Sequence, residues 1–242
     1  DYGWVGGNAT ETSAINHARR RGVRVINMGY GPSGSVMSLN TYQNIVQRRN
    51  QNITFVIASG NDGVRLRSMA VSVNAYQRMK NVILVGAVGR TKKLFPWSNR
   101  PGEGCAYLNG TCNPKNKYKY FTVVAPGGPI YAGLGNGGYG SAWGTSMAAP
   151  HVTGVVALLQ GYWPVLKSRA GSVTNIIFHT AQDLGKKGVD PVYGWGLVRA
   201  DRALGPLGKK YVGKNNKVYS LSASRLKVSP ALSALTTQSG TF

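Results

Sequence analysis

Apolar residues follow two patterns along the chain, short apolar runs and a recurrence every three or four positions. The runs cover Val23–Met28, Ile53–Ala58, Val82–Val88 and Phe121–Val124. Short runs of this kind are typical of strands buried on both faces of a parallel sheet. This pattern therefore predicts four buried strands.

The second pattern predicts helices. Its clearest example is Met147–Gln160, where one helical face is apolar and carries Val152, Val155, Val156 and Leu159. Similar stretches cover Glu11–Arg21, Val36–Asn50 and Ser172–Thr180. Strands and helices that alternate in this way predict an α/β fold, in which helices cover a parallel sheet.

Composition narrows the class of protein. Of the 242 residues, 42% are apolar, which is enough for a substantial core and excludes wholesale disorder. No apolar stretch reaches the roughly 18 residues that a spanning helix needs. We therefore expect no membrane span.

The charge is strongly positive, because 29 lysines and arginines stand against 7 aspartates and glutamates and give a net charge of +22. Such an excess attracts polyanions, so a polyanionic surface is one expected partner. The basic residues occur in short clusters that are spread along the chain. That spread favours a solvated basic face or an acidic partner over specific nucleic-acid recognition.

The character of the sequence changes near residue 205. Residues 205–242 carry six lysines and arginines and no acidic residue. We predict one domain over 1–204 and a basic tail, or a linker to a further module, over 205–242. The apolar pairs Tyr211-Val212 and Val218-Tyr219 leave open an alternative in which parts of the tail pair as edge strands.

The two cysteines, Cys105 and Cys112, lie in a turn-rich segment with six residues between them. Neither a Cys-x-x-Cys spacing nor a nearby histidine accompanies them, which argues against a four-ligand metal site. We therefore predict a local disulfide. Because disulfides persist in oxidising compartments, we also expect a secreted or cell-surface protein.

The segment around Ser146 carries the strongest chemical signal. Gly144 and Thr145 precede the serine, and a predicted amphipathic helix follows it. A hydroxyl residue at this position is a good helix N-cap. The same position also presents a serine oxygen at the positive end of a helix, where negative charge is stabilised. Taken alone, these residues leave both interpretations open.

Three segments resemble those of the subtilisin-like serine proteases. Gly144–Val152, which reads Gly-Thr-Ser-Met-Ala-Ala-Pro-His-Val, is similar to the motif that bears their nucleophilic serine. Phe55–Gly63 is similar to the strand and loop that bear their oxyanion asparagine, and Ile26–Ser35 resembles their substrate-binding segment with one residue fewer. Shorter matches follow in the family's order, so the resemblance covers about residues 11–204.

This resemblance implies a three-layer α/β fold and a serine endopeptidase that acts through an acyl-enzyme. Ser146 would attack the scissile carbonyl of a peptide or protein substrate. The Ser146 N–H and the Asn61 side chain would then hold the oxyanion, which develops only in the transition state.

The resemblance also implies where substrate would bind. A peptide would pair as an added strand with Gly29, Tyr30 and Gly31. The substrate side chain that precedes the cleaved bond would enter a pocket lined by Ala58, Ser59 and Gly60. Asp62 follows this segment and has two interpretations: it favours basic side chains in the pocket, or it is an exposed turn residue. No metal or other cofactor is expected, since Gly89 stands where many relatives carry a calcium-binding aspartate.

Half of the family's catalytic apparatus has no counterpart in the sequence. The serine needs a histidine to take its proton and a carboxylate to orient that histidine. In the family both precede the serine, the histidine in a Gly-His-Gly-Thr segment that is not found here. His17, His151 and His179 match no catalytic position, and Asp1-Tyr2-Gly3 fits the family's Asp-x-Gly turn only superficially.

We therefore expect the C-terminal part of a subtilisin-like peptidase domain, an incomplete fold with negligible hydrolysis by itself. Three explanations stay open. The chain is a cleavage product that keeps its N-terminal partner bound, a portion of a longer polypeptide, or a truncated relative serving as a non-catalytic cationic surface or scaffold module. Four strands alone would leave one flank of the sheet unpaired.

Overall fold

The structure is a computed structural model that describes residues 8–32, 34–36, 39–71, 79–107, 110–134, 137–205, 210–212 and 218–220. The chain divides into two compact units, Asp1–Leu204 and Gly205–Phe242. The sheet and the candidate site lie in the first unit. That this unit is part of a peptidase domain, and the second a tail or linker, stays a prediction.

The strands in chain order are β1 (Val25–Met28), β2 (Thr54–Ala58), β3 (Met69–Ala70), β4 (Val82–Val88), β5 (Ala106–Tyr107), β6 (Thr122–Pro126), β7 (Ile130–Gly133), β8 (Tyr139–Ala142), β9 (Lys210–Val212) and β10 (Val218–Ser220). The helices are α1 (Asn8–Arg20), α2 (Leu39–Ile45), α3 (Thr145–Tyr162), α4 (Ala170–Thr180) and α5 (Ala200–Ala203). Short 3₁₀ segments cover Arg48–Asn50, Met79–Asn81, Pro114–Asn116, Tyr118–Phe121 and Pro164–Ser168.

A four-stranded sheet, in the order β1-β2-β4-β6, forms the centre of the first unit. All its neighbouring pairs are parallel. Every residue of β2 and β4 is buried, as expected for central strands covered on both faces. The four predicted apolar runs all become strands of this sheet, with ends shifted by at most two residues.

Successive side chains of the central strands pack into different cores, so the fold has three layers. Phe55 and Ile57 of β2 lie in a core with Ile15 of α1 and Tyr42 of α2. The alternate positions of β2 and β4 lie in a second core with α3 and α4, through residues such as Val152, Val156 and Ile177. The predicted three-layer parallel α/β fold is therefore confirmed.

The prediction of one helix over Val36–Asn50 is wrong in its extent. Helix α2 ends at Ile45, and a 3₁₀ segment follows at 48–50. The buried side chain of Asn81 explains the break, because its Nδ2 donates to the carbonyl oxygens of Ile45, Asn50 and Ile53. A side chain that satisfies these carbonyls competes with continuation of the helix.

The two edges of the sheet differ. Beyond β6, Val124 N donates to the Gly196 oxygen at 2.8 Å and Val198 N donates to the Val124 oxygen at 3.0 Å. Residues 195–198 therefore cover that edge. At the other edge, β1 pairs only with β2 among the described residues.

The smaller elements were not anticipated, because two to four residues carry no readable periodicity. They include the parallel pair β3–β5 and the antiparallel hairpin β7–β8. In the second unit, β9 and β10 pair antiparallel with Tyr211 opposite Tyr219. This pairing is the alternative that the apolar pairs of the tail had left open.

A disulfide joins Cys105 and Cys112, as predicted, with their Cα atoms 6.1 Å apart. Cys105 is fully buried, and its backbone N–H donates to Ser68 Oγ at 3.1 Å. The bond therefore anchors a surface turn to the core. Within the described ranges, the structure contains no helix with the length and apolarity needed to cross a membrane.

Gly196 is expected to tolerate no side chain. Its φ is +102°, and a Cβ would overlap the carbonyl oxygen of Gln182. We expect Gly196→Ala to lower the free energy of unfolding by about 3 kcal/mol, from left-handed backbone strain and overpacking. Urea unfolding followed by circular dichroism measures the change.

The matched control is Gly154→Ala in α3, where a Cβ would meet nothing within 4 Å. Alanine is favoured over glycine in a helix by about 1 kcal/mol, so this variant should be as stable as the parent or more stable. Equal stability of the two variants would contradict the close packing of Gly196 on Gln182.

Candidate active site

Hydrogen bonds between loops place Ser146 at the carboxyl edge of the sheet. Gly127, which follows β6, donates to the Val88 oxygen at the end of β4. Gly144 in turn donates to the Gly127 oxygen at 2.8 Å, and Ser146 lies in the first turn of α3. The carboxyl edge of a parallel sheet is where α/β proteins commonly bind ligands.

Gly144 leaves a space beside the serine that a side chain would fill. Its φ is +150°, and its missing Cβ would lie 2.8 Å from Ser146 Oγ, 3.5 Å from Asn61 Nδ2 and 3.6 Å from the Ser146 nitrogen. One hydroxyl and two N–H donors thus converge on a single small space. Chemically, this arrangement can stabilise an oxygen that gains negative charge.

Thr145 orients the Asn61 amide. Asn61 Oδ1 accepts from the Thr145 N–H and from Thr145 Oγ1, both at 2.9 Å. The same hydroxyl accepts from the Gly60 N–H at 3.2 Å. With Oδ1 held in this way, Nδ2 faces the space beside Gly144. Sequence reasoning missed Thr145, although a hydroxyl residue directly before the serine was a visible signal.

Gly29, Tyr30 and Gly31 leave the end of β1 beside Ser146. A Cβ on Gly29 would lie 3.8 Å from Ser146 Cβ. All three residues are exposed, and among the described residues their backbone groups make no hydrogen bond. Three consecutive free backbone units next to the serine can pair with an extended peptide.

Tyr30 is held by a carboxylate on α1. Its hydroxyl donates to Glu11 Oε2 at 3.3 Å, and the same oxygen accepts from Thr41 Oγ1 at 2.9 Å. Partial burial and the Glu11 charge raise the pKa of Tyr30 above its ordinary value. The phenol therefore remains a donor at neutral and mildly alkaline pH.

The predicted pocket segment, Ala58–Gly60, packs closely against neighbouring loops. Ala58 and Ser59 are buried, and Ser59 Oγ donates to the Asn99 oxygen at 3.2 Å. A Cβ on Gly31 would overlap the Ala58 oxygen, so these two segments lie against each other. Any substrate contact of Ala58, Ser59 and Gly60 would therefore be made by backbone atoms.

Asn99 is a residue that sequence reasoning missed. It is buried, its Oδ1 accepts from the Asp62 and Val64 N–H groups, and its Nδ2 donates to the Gly34 oxygen. Asp62 adds a second link, because its Oδ2 accepts from the Gly34 N–H at 3.0 Å. These bonds join the loop after β1 to the loop after β2.

The three histidines have other surroundings. His151 is exposed and its Nδ1 lies 2.9 Å from the Met147 oxygen, while His179 packs against Trp195. His17 is exposed on α1.

A catalytic partner of Ser146 is not found among the described residues, because neither a histidine nor a carboxylate hydrogen-bonds it there. Asp1, the residue that fits the Asp-x-Gly turn superficially, lies outside the described ranges. Those ranges also hold no cluster of three metal-ligating side chains.

Comparison with known proteins identifies the family. Residues 5–196 match the model of the subtilase family, Peptidase_S8. The chain belongs to the subtilase family. The resemblance inferred from the Ser146 and Asn61 segments is thereby confirmed.

Relatives of this subtilase come from several bacteria. Subtilisin DY of Bacillus licheniformis is 32% identical over 192 residues, which are 79% of this chain and 60% of the relative. The extracellular serine protease of Serratia marcescens is 37% identical over 119 residues, or 40% of this chain and 11% of the relative. Serotype-specific antigen 1 of Mannheimia haemolytica is 30% identical over 171 residues, or 67% and 17%. The subtilase chain thus spans only 11 to 60% of these relatives' lengths.

Solved structures agree with the fold of this subtilase. The prenylagaramide maturation protease PagA superposes with a TM-score of 0.62 at 24% identity, over 84% of this chain and 69% of that one. The patellamide maturation protease PatA gives 0.61 at 22% identity, over 81% and 67%. At such identities, the likeness concerns the fold alone.

Proposed function

We propose that the chain is the nucleophile-bearing part of a secreted serine endopeptidase, which hydrolyses peptide bonds through an acyl-enzyme on Ser146. The convergence of Ser146 Oγ, the Ser146 N–H and Asn61 Nδ2 beside Gly144 carries this proposal. The hydroxyl attacks the substrate carbonyl, and the two N–H groups stabilise the oxyanion that forms.

The substrate is an extended peptide. The free backbone groups of Gly29, Tyr30 and Gly31 support this choice, because they lie beside the serine and can add the peptide as a strand. The backbone of Ala58, Ser59 and Gly60 lies against Gly31 and lines the pocket for the side chain before the cut. The bond from Tyr30 to Glu11 holds the segment Gly29–Gly31 in place.

The general base and its orienting carboxylate come from outside the described residues. A serine hydroxyl without a base is a weak nucleophile, and no described histidine hydrogen-bonds Ser146. We propose that an N-terminal half of the same protease supplies the aspartate and histidine, as a further segment or a second chain. The edge of β1, which lacks a second partner strand among the described residues, is where that half would extend the sheet.

Two observations support an extracytoplasmic location. The chain carries a disulfide, which persists in oxidising compartments. Among its relatives are the extracellular serine protease of Serratia marcescens and the neisserial autotransporter lipoprotein NalP, the latter 26% identical over 220 residues.

A second candidate function is a non-catalytic cationic module derived from a subtilase. The net charge of +22 favours it, since that charge serves no step of peptide hydrolysis. Such a module would bind polyanions, and loss of the Ser146 hydroxyl would leave that binding unchanged.

A fluorophosphonate probe separates the two candidates. The native preparation, with every polypeptide it contains, is treated with the probe and each polypeptide is weighed intact. An activated Ser146 Oγ forms a bond to phosphorus while fluoride leaves and the base takes the proton. We expect an adduct on this chain only when a second polypeptide or segment with the histidine is present.

Other outcomes contradict the proposal in different ways. An adduct on a pure, homogeneous 25.8 kDa species would show that this chain contains its own base. A preparation that retains the second polypeptide and takes no probe would favour the non-catalytic module.

A further inference from the structure

A group of exposed cations lies where the strands of the central sheet begin. Parallel strands begin at a common edge, and here that edge is opposite to the one that bears Ser146. Arg24 directly precedes β1, and Lys80 lies in the 3₁₀ segment that leads into β4. The group, called the basic face, consists of Arg20, Arg21, Arg24, Arg48, Arg49, Lys80, Lys167 and Arg169, all of them exposed.

Helices α3 and α4 bring the last two members to this edge. Helix α3 begins at Thr145, beside Ser146, and runs back along the sheet until Gln160 Nε2 donates to the Arg24 oxygen at 3.4 Å. Lys167 lies in the 3₁₀ segment that follows α3, and Arg169 directly precedes α4. The N-terminal half of α4 then reaches the start of β4, where Thr174 Oγ1 donates to the Lys80 oxygen at 2.6 Å.

The charges of the basic face are not compensated by described acids. The ion pairs found among the described residues join Lys117 and Lys119 to Glu103, and Arg199 to Asp201, so none involves a member of the face. Each basic residue close to an anionic membrane contributes its own attraction, so the contributions of these cations add up on such a surface.

Exposed apolar side chains lie on α3 and on the 3₁₀ segment that bears Lys167. Leu158 and Tyr162, one helical turn apart on α3, are 54% and 53% exposed, and Val165 in the following turn is 55% exposed. Exposed apolar groups beside lysine and arginine are typical of surfaces that enter the boundary between lipid head groups and acyl chains. A purely ionic partner, such as a polysaccharide, gives them no role.

A cavity opens in the same face. Its volume is about 500 Å³, within the usual range for a small ligand, and its lining includes Lys80, Arg169, Ser172 and Asn175. Two cations with hydroxyl and amide groups beside them suit a phosphate head group.

We propose that the basic face binds a membrane surface rich in anionic phospholipid. The cations lie against the lipid phosphates, one head group occupies the cavity, and Leu158, Tyr162 and Val165 enter the head-group boundary. Because Ser146 is at the other end of the sheet, the candidate active site faces away from the membrane.

Vesicle sedimentation of the full 242-residue chain tests this proposal. At physiological salt we expect binding to vesicles of phosphatidylglycerol and phosphatidylcholine in equal parts, and none to pure phosphatidylcholine. The triple variant Arg49→Gln, Lys80→Gln, Arg169→Gln should bind about 100-fold more weakly, since each basic residue at an anionic membrane contributes about fivefold.

The matched control removes the same charge elsewhere. Arg65, Arg90 and Lys93 are exposed in loops that follow the carboxyl ends of β2 and β4. Their replacement by glutamine should weaken binding less than tenfold. Far-UV circular dichroism shows whether each variant is folded. Equal losses in the two folded triple variants would overturn the proposal.

A second variant separates lipid from other polyanions. Leu158→Ser with Val165→Ser should weaken vesicle binding about tenfold, because less apolar surface is buried, and leave binding to heparin unchanged. Unchanged vesicle binding in this variant would identify a purely ionic partner and overturn the choice of lipid.

Discussion

Ser146→Ala is expected to abolish peptide hydrolysis and probe labelling in any preparation that shows them. The rate should fall by a factor on the order of 10⁶, the loss known when a subtilisin loses its serine. The physical reason is that the Ser146 hydroxyl lies at the space beside Gly144, 2.8 Å from where a Cβ would be, and the Asn61 Nδ2 donor faces the same space. Initial rates on a fluorogenic peptide and the intact mass after labelling measure the effect.

Ser172→Ala is the matched control for this change. Ser172 also lies in the first turn of a helix, α4, and is exposed, but it is at the opposite end of the sheet. It should leave hydrolysis and labelling unaltered. Activity that survives in Ser146→Ala would show that a different residue is the nucleophile.

Asn61→Asp is expected to lower kcat by at least 10²–10³ with little change in KM. This is the magnitude known for loss of one oxyanion donor in a subtilisin. The aspartate keeps an oxygen that can accept from Thr145, but replaces the Nδ2 donor by a negatively charged oxygen. It therefore removes transition-state stabilisation without removing the hydrogen bonds that hold the loop.

Thr145→Val tests whether Asn61 acts only by holding that loop. This change deletes the hydroxyl that bonds Asn61 and Gly60, and leaves the Asn61 Nδ2 donor in place. We expect a smaller loss of kcat than in Asn61→Asp, with some loss of stability. An equal loss of kcat would contradict this expectation and show that the Thr145 N–H alone does not hold the Asn61 amide in place.

The central sheet was predictable because burial on both faces leaves a simple signal. Val82–Val88 is apolar at every position except Gly86, and it forms β4 with the predicted ends. The break after Ile45 was not predictable, since its cause is Asn81, a residue 36 positions away in sequence. Apolar periodicity describes what a segment buries and carries no information about a side chain from another part of the chain, here the 3₁₀ segment Met79–Asn81.

In the candidate site, too, some residues were predictable from the sequence and others were not. Ser146 and Asn61 were predictable because each lies in a long motif of the family. The parts that orient them, Thr145 and Asn99, act through hydrogen bonds to residues distant in sequence. Such bonds leave no pattern in one sequence. The role of the pocket segment was also harder to predict, because burial of Ala58 and Ser59 depends on how β2 meets its neighbours.

The bonds made by Asn99 have a thermodynamic consequence for the proposed peptidase. Because one buried amide fixes Gly34, Asp62 and Val64 together, the loop after β1 and the loop after β2 are held to each other before a peptide arrives. Ordering a loop upon association costs conformational entropy, which is subtracted from affinity. When the loops of a cleft are ordered during folding, this entropy is already lost before substrate binds. More of the contact energy then contributes to holding the peptide against the serine.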